Sequence, residues 1–190
     1  MSENRKLIRK KIKAKLQNLA PKARVLAAQN IATKIINSEI FIHSQNIACY
    51  APIKNEINTW PIIKNIWEQG KNCYLPACYP EGERKLCFVQ FLLDDRLLEM
   101  ERYGVLVPEI TPKKTIALQD LDLVIIPLLG FTDTRFRLGR GAGYYDYTFA
   151  FKKQTALPIK PYLIGVGYEC QRVEFMPQSW DVMMDEIVVG

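Results

Sequence analysis

The chain has 190 residues, of which 48% are hydrophobic and 24% are charged, a balance typical of a globular protein. This length suits one domain, and the composition excludes a disordered, collagen-like or coiled-coil chain. Residues 1–24 hold nine basic side chains against Glu3 alone, whereas residues 25–190 hold 17 basic and 19 acidic side chains. The net charge of +6 therefore arises in the N-terminal segment and not across the whole domain.

Apolar periodicity predicts that helices and strands alternate along the chain. The first predicted helix is indicated by an apolar stripe at three- and four-residue spacing: Ile8, Ile12, Leu16 and Leu19. Further helices are predicted at about 21–36, 60–69 and 143–153. Strands are predicted at 46–50, 72–76, 86–92, 121–126, 162–168 and 186–189. Residues 80–85 and 111–115 are predicted surface turns. The alternation predicts one layered α/β domain, residues 1–190, with a mostly parallel sheet flanked by helices.

The cysteines and the single histidine do not indicate a metal centre. The five cysteines are irregularly spaced without a CxxC pair, so we expect reduced thiols packed as small apolar groups. His43 is expected to be an ordinary surface or packing residue. The N-terminus lacks the apolar core of a signal peptide, and no stretch approaches about 18 apolar residues. We therefore expect a cytoplasmic protein without a membrane partner.

The first helix carries a basic stripe. Arg5, Arg9 and Lys13 recur at four-residue spacing, which places their side chains on one side of a helix. Two interpretations follow from this pattern: a local anionic ligand, or a solvated helix face. A nucleic-acid-binding module is the broader alternative, although the charge is confined to one helix and no nucleic-acid-binding motif is present.

The segment with the strongest chemical pattern is residues 127–146, PLLGFTDTRFRLGRGAGYYD, which follows the most apolar predicted strand. Ligands of open α/β sheets collect beyond the carboxyl ends of strands. Glycine alternates with other residues at Gly139, Gly141 and Gly143, and this spacing lets backbone amides approach an anion. Three arginines, whose guanidinium groups can donate two hydrogen bonds to one phosphate, lie among and before these glycines: Arg135, Arg137 and Arg140. The pattern favours a phosphate site at a helix start over a plain surface loop, although it is not a Walker motif.

Residues 137–146 also resemble the RLG-x-G-x-GYYD motif of the 5-formyltetrahydrofolate cyclo-ligase family. Three further stretches match that family in order: RKLIR at 5–9, YAPIKNE at 50–56, and Trp180-Asp181 with Asp185. The matches span nearly the whole chain. The family's fold resembles the NagB/RpiA/CoA-transferase type, which agrees with the predicted alternation of strands and helices.

The chain departs from the family pattern at three positions. Ala142 stands where the family usually has Gly or Lys, so a lysine contact to phosphate is absent. Arg5 replaces a common Lys, and Ile8 replaces Leu. Neither change in the basic segment removes a carboxylate or an anion-binding arginine.

The resemblance implies an ATP- and Mg²⁺-dependent enzyme that converts 5-formyltetrahydrofolate, or its polyglutamates, to 5,10-methenyltetrahydrofolate with release of ADP and phosphate. ATP would phosphorylate the formyl oxygen before ring closure. We expect a monomer without a nucleic-acid partner. A sugar-phosphate isomerase or a CoA transferase on the same fold is the other alternative, but the arginine–glycine loop with Tyr-Tyr-Asp has no evident role in those reactions.

The resemblance also assigns roles to individual residues. ATP would contact Arg5, Lys6, Leu7, Ile8 and Arg9, and also Arg137, Leu138, Gly139, Arg140, Gly141, Ala142, Gly143, Tyr144 and Tyr145. The folate would contact Ala51, Glu56, Arg140, Gly141, Ala142, Gly143 and Tyr144. Catalytic roles fall to Arg137, Arg140 and Tyr145. Magnesium would bind Asp146 and Asp181, and a contribution of Asp185 stays open. Because Glu56 lies on a different predicted loop from the glycines, its replacement is expected to leave ATP binding nearly intact.

Overall fold

The computed structural model describes residues 3–78, 83–100, 105–154 and 159–190. The α-helices are α1 (Glu3–Gln17), α2 (Pro21–Ile36), α3 (Glu39–His43), α4 (Trp60–Glu68) and α5 (Tyr144–Thr148). The strands are β1 (Asn46–Ala48), β2 (Asn72–Cys78), β3 (Leu86–Gln90), β4 (Leu97–Met100), β5 (Val105–Pro108), β6 (Thr115–Ile116), β7 (Leu123–Pro127), β8 (Gly130–Phe131), β9 (Arg137–Leu138), β10 (Tyr162–Gly167) and β11 (Glu186–Val189).

Seven strands form one sheet in the order β11-β10-β7-β1-β2-β3-β6. The pairs β11–β10, β10–β7, β7–β1 and β1–β2 are parallel, whereas β3 and β6 add an antiparallel edge. The predicted mostly parallel sheet flanked by helices is thus confirmed. The remaining strands pair as the two antiparallel hairpins β4–β5 and β8–β9.

Alternate residues of the central strands face two separate hydrophobic layers. In β7, Leu123 and Ile125 join the layer that contains buried residues of α1, α2 and α4. Val124 and Ile126 join the opposite layer, which contains Phe149 after α5. All four side chains are at most 1% exposed, because a parallel strand covered on both faces has no solvated side.

Several predicted elements have different bounds in the structure. The predicted helix at 143–153 is only α5, followed by the 3₁₀ turn Ala150–Gln154. The amide of the fully buried Phe149 still donates to the Tyr145 carbonyl. The α-helix therefore changes to a 3₁₀ turn at the point where the Phe149 ring enters the core. The turn at 111–115 contains the 3₁₀ turn Pro112–Lys114, and residues 80–82 of the other predicted turn lie outside the described residues.

The cysteines and the histidine occupy ordinary positions. Cys49, Cys73 and Cys87 are buried, as expected of small apolar groups, and Cys78 is partly exposed in the wall of a cavity. His43 lies at the surface, where its ring nitrogen is 2.9 Å from the carbonyl of Glu39 in the same short helix. Across the described ranges, no helix combines the length and the apolar character required to span a membrane.

Candidate active site

A cavity of about 490 Å³ opens beyond the carboxyl ends of β1, β2 and β7. Tyr50 and Ala51 follow β1, Cys78 ends β2, and residues 127–129 end β7, and all of them line the cavity. The chain passes from β1 to β2 on one side and later returns to pair β7 on the other side. Such a switch in strand order leaves a crevice between diverging loops, which is where ligands bind in open α/β sheets.

The glycine-rich segment enters this cavity from the β8–β9 hairpin, and two glycines are required by its geometry. A Cβ atom at Gly139 would lie 2.8 Å from Nη1 of Arg137, closer than real side chains approach. Gly141 has a φ of +119°, a backbone conformation that favours glycine. The alternating glycines therefore let the chain fold closely around the Arg137 guanidinium.

Arg137 is the most firmly held cation of the loop. Its side chain is 4% exposed, and Nη2 donates to Oδ2 of Asp146 over 3.1 Å. The guanidinium carbon lies 5.0 Å from the centroid of the Tyr145 ring, within cation–π range. Its Nε atom is buried and has no hydrogen-bond partner in the described part of the chain. The arginine is thus held by Asp146 and the Tyr145 ring, with one N–H group buried and unsatisfied.

Burial also determines the protonation state of Tyr145. Removal from solvent raises the pKa of its hydroxyl well above the ordinary tyrosine value, and the nearby Arg137 charge only partly opposes this. Tyr145 therefore stays neutral at physiological pH and serves as a hydrogen-bonding group or a ring surface, and not as a phenolate base.

Helix α1 contributes two arginines to the same cavity. Arg5 donates to both carboxylate oxygens of Asp181 and to the Met176 carbonyl, the latter over 2.9 Å. Nε of Arg9 donates to the Gly139 carbonyl over 2.9 Å. Burial lowers the pKa of Arg9, and the charge of Arg5 lowers it further. The N-terminal helix is thus bonded to the glycine-rich loop and to the C-terminal segment.

Glu56 reaches the cavity from the loop after β1, which is held at both ends. Thr59 donates its hydroxyl to the Tyr50 carbonyl over 2.6 Å, and the Tyr168 hydroxyl donates to the Glu56 carbonyl over 3.2 Å. The Glu56 side chain is only 12% exposed. Burial raises the pKa of its carboxyl, while the Arg140 charge partly opposes the shift. This loop therefore presents a desolvated carboxylate in a fixed position.

The two sides of the cavity meet in an ion pair between Glu56 and Arg140. Nε and Nη2 of Arg140 each lie 3.1 Å from Oε1 of Glu56. Glu56 and Arg140, both of them predicted folate contacts, are thus joined although they lie on different loops. The two loops leave neighbouring parallel strands at the same sheet edge, so sequence separation does not keep them apart.

Asp146 and Asp181 both line the cavity. The amide of Val182, which follows Asp181, donates to Oδ1 of Asp146 over 3.2 Å. Asp185, in contrast, pairs with Lys152 over 3.0 Å outside the cavity lining. In the described ranges, no cluster of three or more histidine, cysteine or acidic side chains could form a closed metal site by itself.

These two carboxylates nevertheless fit magnesium. Each already has an arginine partner. Oδ2 of Asp181 accepts from both Arg5 and the Gln178 amide, whereas Oδ1 of Asp181 and each oxygen of Asp146 accept one of these contacts and have a further lone pair. Mg²⁺ in phosphate-transfer sites is commonly held by one or two carboxylates, with water and substrate phosphates completing its octahedron. The donor set therefore suits an ion that is held jointly by the protein and a bound phosphate.

The comparison with known families agrees with this geometry. The sequence model of the 5-formyltetrahydrofolate cyclo-ligase family matches residues 1–190. The chain belongs to this family. It is therefore an enzyme of the cyclo-ligase type.

Individual relatives support the assignment. A 5-formyltetrahydrofolate cyclo-ligase of Haemophilus influenzae is 31% identical over 191 residues, covering 100% of this chain and 99% of the relative. The solved 5,10-methenyltetrahydrofolate synthetase of Aquifex aeolicus has a TM-score of 0.77 at 26% identity, covering 97% of this chain and 88% of that one. The synthetase of Mycoplasma pneumoniae has a TM-score of 0.74 at 23% identity, covering 97% and 98%, and shows the shared fold.

Most of the residues that the cyclo-ligase motifs point to lie around the cavity. They are Arg5, Arg9, Ala51, Glu56, Arg137, Gly139, Arg140, Gly141, Ala142, Gly143, Tyr144, Tyr145, Asp146 and Asp181. Four predicted ATP contacts lie elsewhere. Lys6 and Leu7 are exposed, Ile8 packs against the core, and Leu138 is 1% exposed within it. A helix turns by about 100° per residue, so Arg5 and Arg9 share a face that the three intervening side chains do not.

The cavity wall also contains residues to which the motifs assigned no role. They are largely apolar and include Tyr50, Ile53, Pro76, Cys78, Leu86, Leu128 and Trp180. Their positions at strand ends were a usable signal for Tyr50 and Leu128, because ligand sites lie beyond those ends. Nothing in the local pattern distinguishes Leu86 or Pro76 from ordinary core residues.

Proposed function

We propose that this cyclo-ligase uses ATP and Mg²⁺ to convert 5-formyltetrahydrofolate to 5,10-methenyltetrahydrofolate. One observation carries the proposal: a single cavity joins an arginine- and glycine-rich loop at one side to the buried Glu56 carboxylate at the other. The first side suits phosphate and the second suits the N–H groups of a pterin. A reaction that brings ATP to a folate needs both features in one cavity.

The chemistry requires activation of a poor leaving group. An amide-like formyl oxygen does not leave readily, so the γ-phosphoryl group of ATP is transferred to it and ADP is released. The neighbouring amine nitrogen then attacks the formyl carbon and loses its proton, and phosphate departs with the former formyl oxygen. Phosphoryl transfer depends mainly on positioning and charge stabilisation, which arginines and backbone amides supply without a protein nucleophile.

Two fixed arginines line the phosphate end of the cavity. Arg137 is held by Asp146 and Arg9 is bonded to the Gly139 carbonyl, whereas Arg140 pairs with Glu56 at the folate end. Helix α5 has five residues, so its dipole is a minor source of positive potential. The positive potential at this end therefore comes mainly from guanidinium groups, and not from the N-terminus of the longer helix that we expected.

The folate end of the cavity combines one carboxylate with apolar walls. Glu56 would accept hydrogen bonds from the amino and ring N–H groups of the pterin, and Tyr50 and Ala51 lie beside it in the same loop. A mostly apolar pocket with a single buried acceptor orients a flat heterocycle, because an unpaired polar group there is costly. Water exclusion by these walls would also protect the phosphorylated intermediate from hydrolysis.

Asp146 and Asp181 would hold Mg²⁺, which when bound would neutralise charge on the ATP phosphates. We expect Asp146→Asn to raise the magnesium concentration needed for half-maximal turnover and to lower the maximal rate strongly. Titration of magnesium at saturating ATP measures both quantities. Asp133→Asn is the control, since Asp133 is exposed and pairs with Arg172 outside the cavity. An unchanged magnesium requirement in folded Asp146→Asn would restrict Asp146 to positioning Arg137.

The proposed reaction itself is tested by incubating the protein with 5-formyltetrahydrofolate and Mg-ATP. The expected result is growth of the ultraviolet absorbance of the methenyl product, dependent on all three components. Omission of ATP, folate or divalent metal in turn provides the controls. Folded protein that forms no methenyl product with fresh reagents would contradict the proposal.

A further inference from the structure

The Glu56–Arg140 pair has an unusual hydrogen-bonding pattern. Both Nε and Nη2 of Arg140 approach the single oxygen Oε1, whereas Oε2 accepts from the Ile53 amide over 3.2 Å. Nε donates a hydrogen bond to the desolvated carboxylate, and Nη2, joined to Nε through one carbon, lies at the same distance from the same oxygen. The N–C–N edge of the guanidinium therefore faces the Glu56 carboxylate.

The same donor fork occurs in a pterin. Its pyrimidine ring carries an N–H beside a carbon that bears an amino group, which is the N–C–N arrangement of a guanidinium. A carboxylate that accepts from one fork is suited to accept from the other. Arg140 and a pterin would thus compete for the same oxygen of Glu56.

Arg140 is the partner free to move in such a competition. Its side chain is 51% exposed, compared with 12% for Glu56 and 4% for Arg137. Glu56 is held by the Ile53 amide and through its own carbonyl by Tyr168. Arg140 stands between Gly139 and Gly141, whose backbones have few steric restrictions. An ion pair with a half-exposed partner is weak, so a ligand can displace it at small cost.

We propose that Arg140 occupies the position on Glu56 at which the pterin binds. Folate binding then releases Arg140 from Glu56, and its guanidinium moves to the phosphate side of the cavity. This inference rests on the proposed function of the site. In the ligand-free enzyme the Arg140 charge is engaged at the folate end. When the pterin takes Glu56, the displaced guanidinium becomes available to the phosphates bound by the neighbouring glycines.

The consequence is a coupling between the two substrates. A ligand that frees Arg140 strengthens nucleotide binding, and by linkage the nucleotide strengthens folate binding by the same factor. The arrangement also disfavours wasteful ATP hydrolysis, because a loop cation is missing from the phosphates until the folate is present. The size of the effect is set by the Glu56–Arg140 pair and amounts to roughly two- to fivefold in affinity.

The test measures binding of a Mg-bound, non-hydrolysable ATP analogue to the full chain by calorimetry, without folate. We expect Glu56→Gln to bind the analogue roughly two- to fivefold more tightly than the unaltered chain, because Arg140 is released. The double variant Glu56→Gln/Arg140→Ala should lose this gain. Glu68→Gln makes the same change of charge at a half-exposed site on α4 and should leave the affinity unchanged.

A second measurement applies should Glu56→Gln fail to fold. Addition of 5-formyltetrahydrofolate should tighten analogue binding to the unaltered chain but not to Arg140→Ala. Equal affinities of the unaltered chain and Glu56→Gln would overturn the inference, as would a gain that persists without Arg140. Formation of methenyl product by a chain that shows no coupling would reject the inference while the proposed function stands. Absence of any analogue binding would reject both.

Discussion

At the scale of single residues, the charged groups of the cavity differ in solvent exposure, and their mobility and pKa differ accordingly. Arg137 is enclosed and fixed, Arg140 is half exposed, and Glu56 is a desolvated carboxylate whose pKa is raised by its burial. A carboxylate kept ionised in such a place costs folding free energy, and that cost is typical of residues retained for binding. Stability and activity are therefore expected to respond oppositely to replacement of Glu56.

The raised pKa of Glu56 predicts how the stability of the fold depends on pH. With a raised pKa in the folded state, Glu56 contributes stability that is fully present below about pH 4.3, the ordinary glutamate value, and is lost as pH rises through the folded pKa. Glu56→Gln lacks this loss, so its thermal midpoint should exceed that of the unaltered chain near pH 7. Thermal melts from pH 4 to 8 should show the difference vanish towards acid pH.

The matched control is Glu68→Gln, because Glu68 is a half-exposed residue of α4. Its melting curve should follow that of the unaltered chain throughout the range. A Glu56→Gln variant that is less stable at pH 7 would show that the carboxylate stabilises the fold, contrary to the argument from burial.

Arg140 is expected to act on the transition state. Negative charge moves onto the bridging and terminal phosphate oxygens during transfer, and a guanidinium near them stabilises this change more than it stabilises bound ATP. Arg140→Ala should lower kcat by about 10²–10³, and Arg140→Lys should restore it only partly, since lysine lacks the planar fork. Steady-state kinetics with both substrates measure kcat and KM separately.

A substitution at Ala142 provides a further test of the role of Arg140. Introducing Lys at position 142 in the Arg140→Ala background should recover part of kcat if the missing element is positive charge. Arg172→Ala is the control, because Arg172 forms exposed ion pairs outside the cavity. A near-normal kcat with a raised KM for folate in Arg140→Ala would make Arg140 a substrate clamp.

At the scale of elements, helix α1 acts as one wall of the site. Its apolar residues Ile12 and Leu16 are each 1% exposed in the core, which fixes the helix and hence its first two turns. From those turns, Arg5 bonds to Asp181 and Arg9 bonds to Gly139. Helix α1 is thus joined to the glycine-rich loop and to the segment that contains Asp181, and the cavity is complete only when all three have packed.

The position of α1 predicts which basic residues serve the nucleotide. Arg9→Ala should weaken binding of the Mg-bound ATP analogue by roughly tenfold or more, as expected for a charged hydrogen bond. Lys15→Ala should leave binding unchanged, because Lys15 is an exposed residue of the same helix and lies outside the cavity lining. Calorimetry of both variants measures the contrast. Equal effects would mean that the helix acts only through its net charge.

At the scale of the whole molecule, the basic N-terminal segment is partly internal. Arg5 and Arg9 reach into the cavity, and Arg24 donates from Nε to the Leu19 carbonyl over 3.1 Å at the junction of α1 and α2. Among the described residues, these three arginines of the basic segment therefore have contacts within the protein. The free cationic surface is smaller than the sequence suggests, which weakens the nucleic-acid interpretation.

This charge distribution predicts weak, nonspecific contact with nucleic acids. Fluorescence anisotropy with labelled single-stranded and duplex oligonucleotides at physiological salt should give no submicromolar binding, and any weak binding at low salt should fall steeply as salt increases. Submicromolar affinity at physiological salt would restore the alternative of a nucleic-acid-binding protein. The same preparation should meanwhile form the methenyl product, which serves as the control for folded protein.

Much of the fold and of the site could be predicted because the relevant signals are local. The apolar run that becomes β7 and the stripe of α1 follow from side-chain periodicity, and α2 and β11 have the predicted bounds. The motif residues from 137 to 146 are contiguous, so their chemistry is visible in the chain itself. By contrast, α5 is shorter than predicted, because the position at which Phe149 enters the core depends on the opposite layer.

The amino-acid sequence by itself determined the parallel sheet, the family and most of the side chains that line the cavity. Only the tertiary structure decided which of those side chains pair with one another. Glu56 and Arg140 are 84 residues apart, and Arg5 and Asp181 are 176 apart, yet each pair is in contact. Local periodicity carries no information on such pairs. They arise because the fold brings the loops after β1 and β9 and the first turns of α1 to one cavity, where a buried charge without an opposite charge is costly.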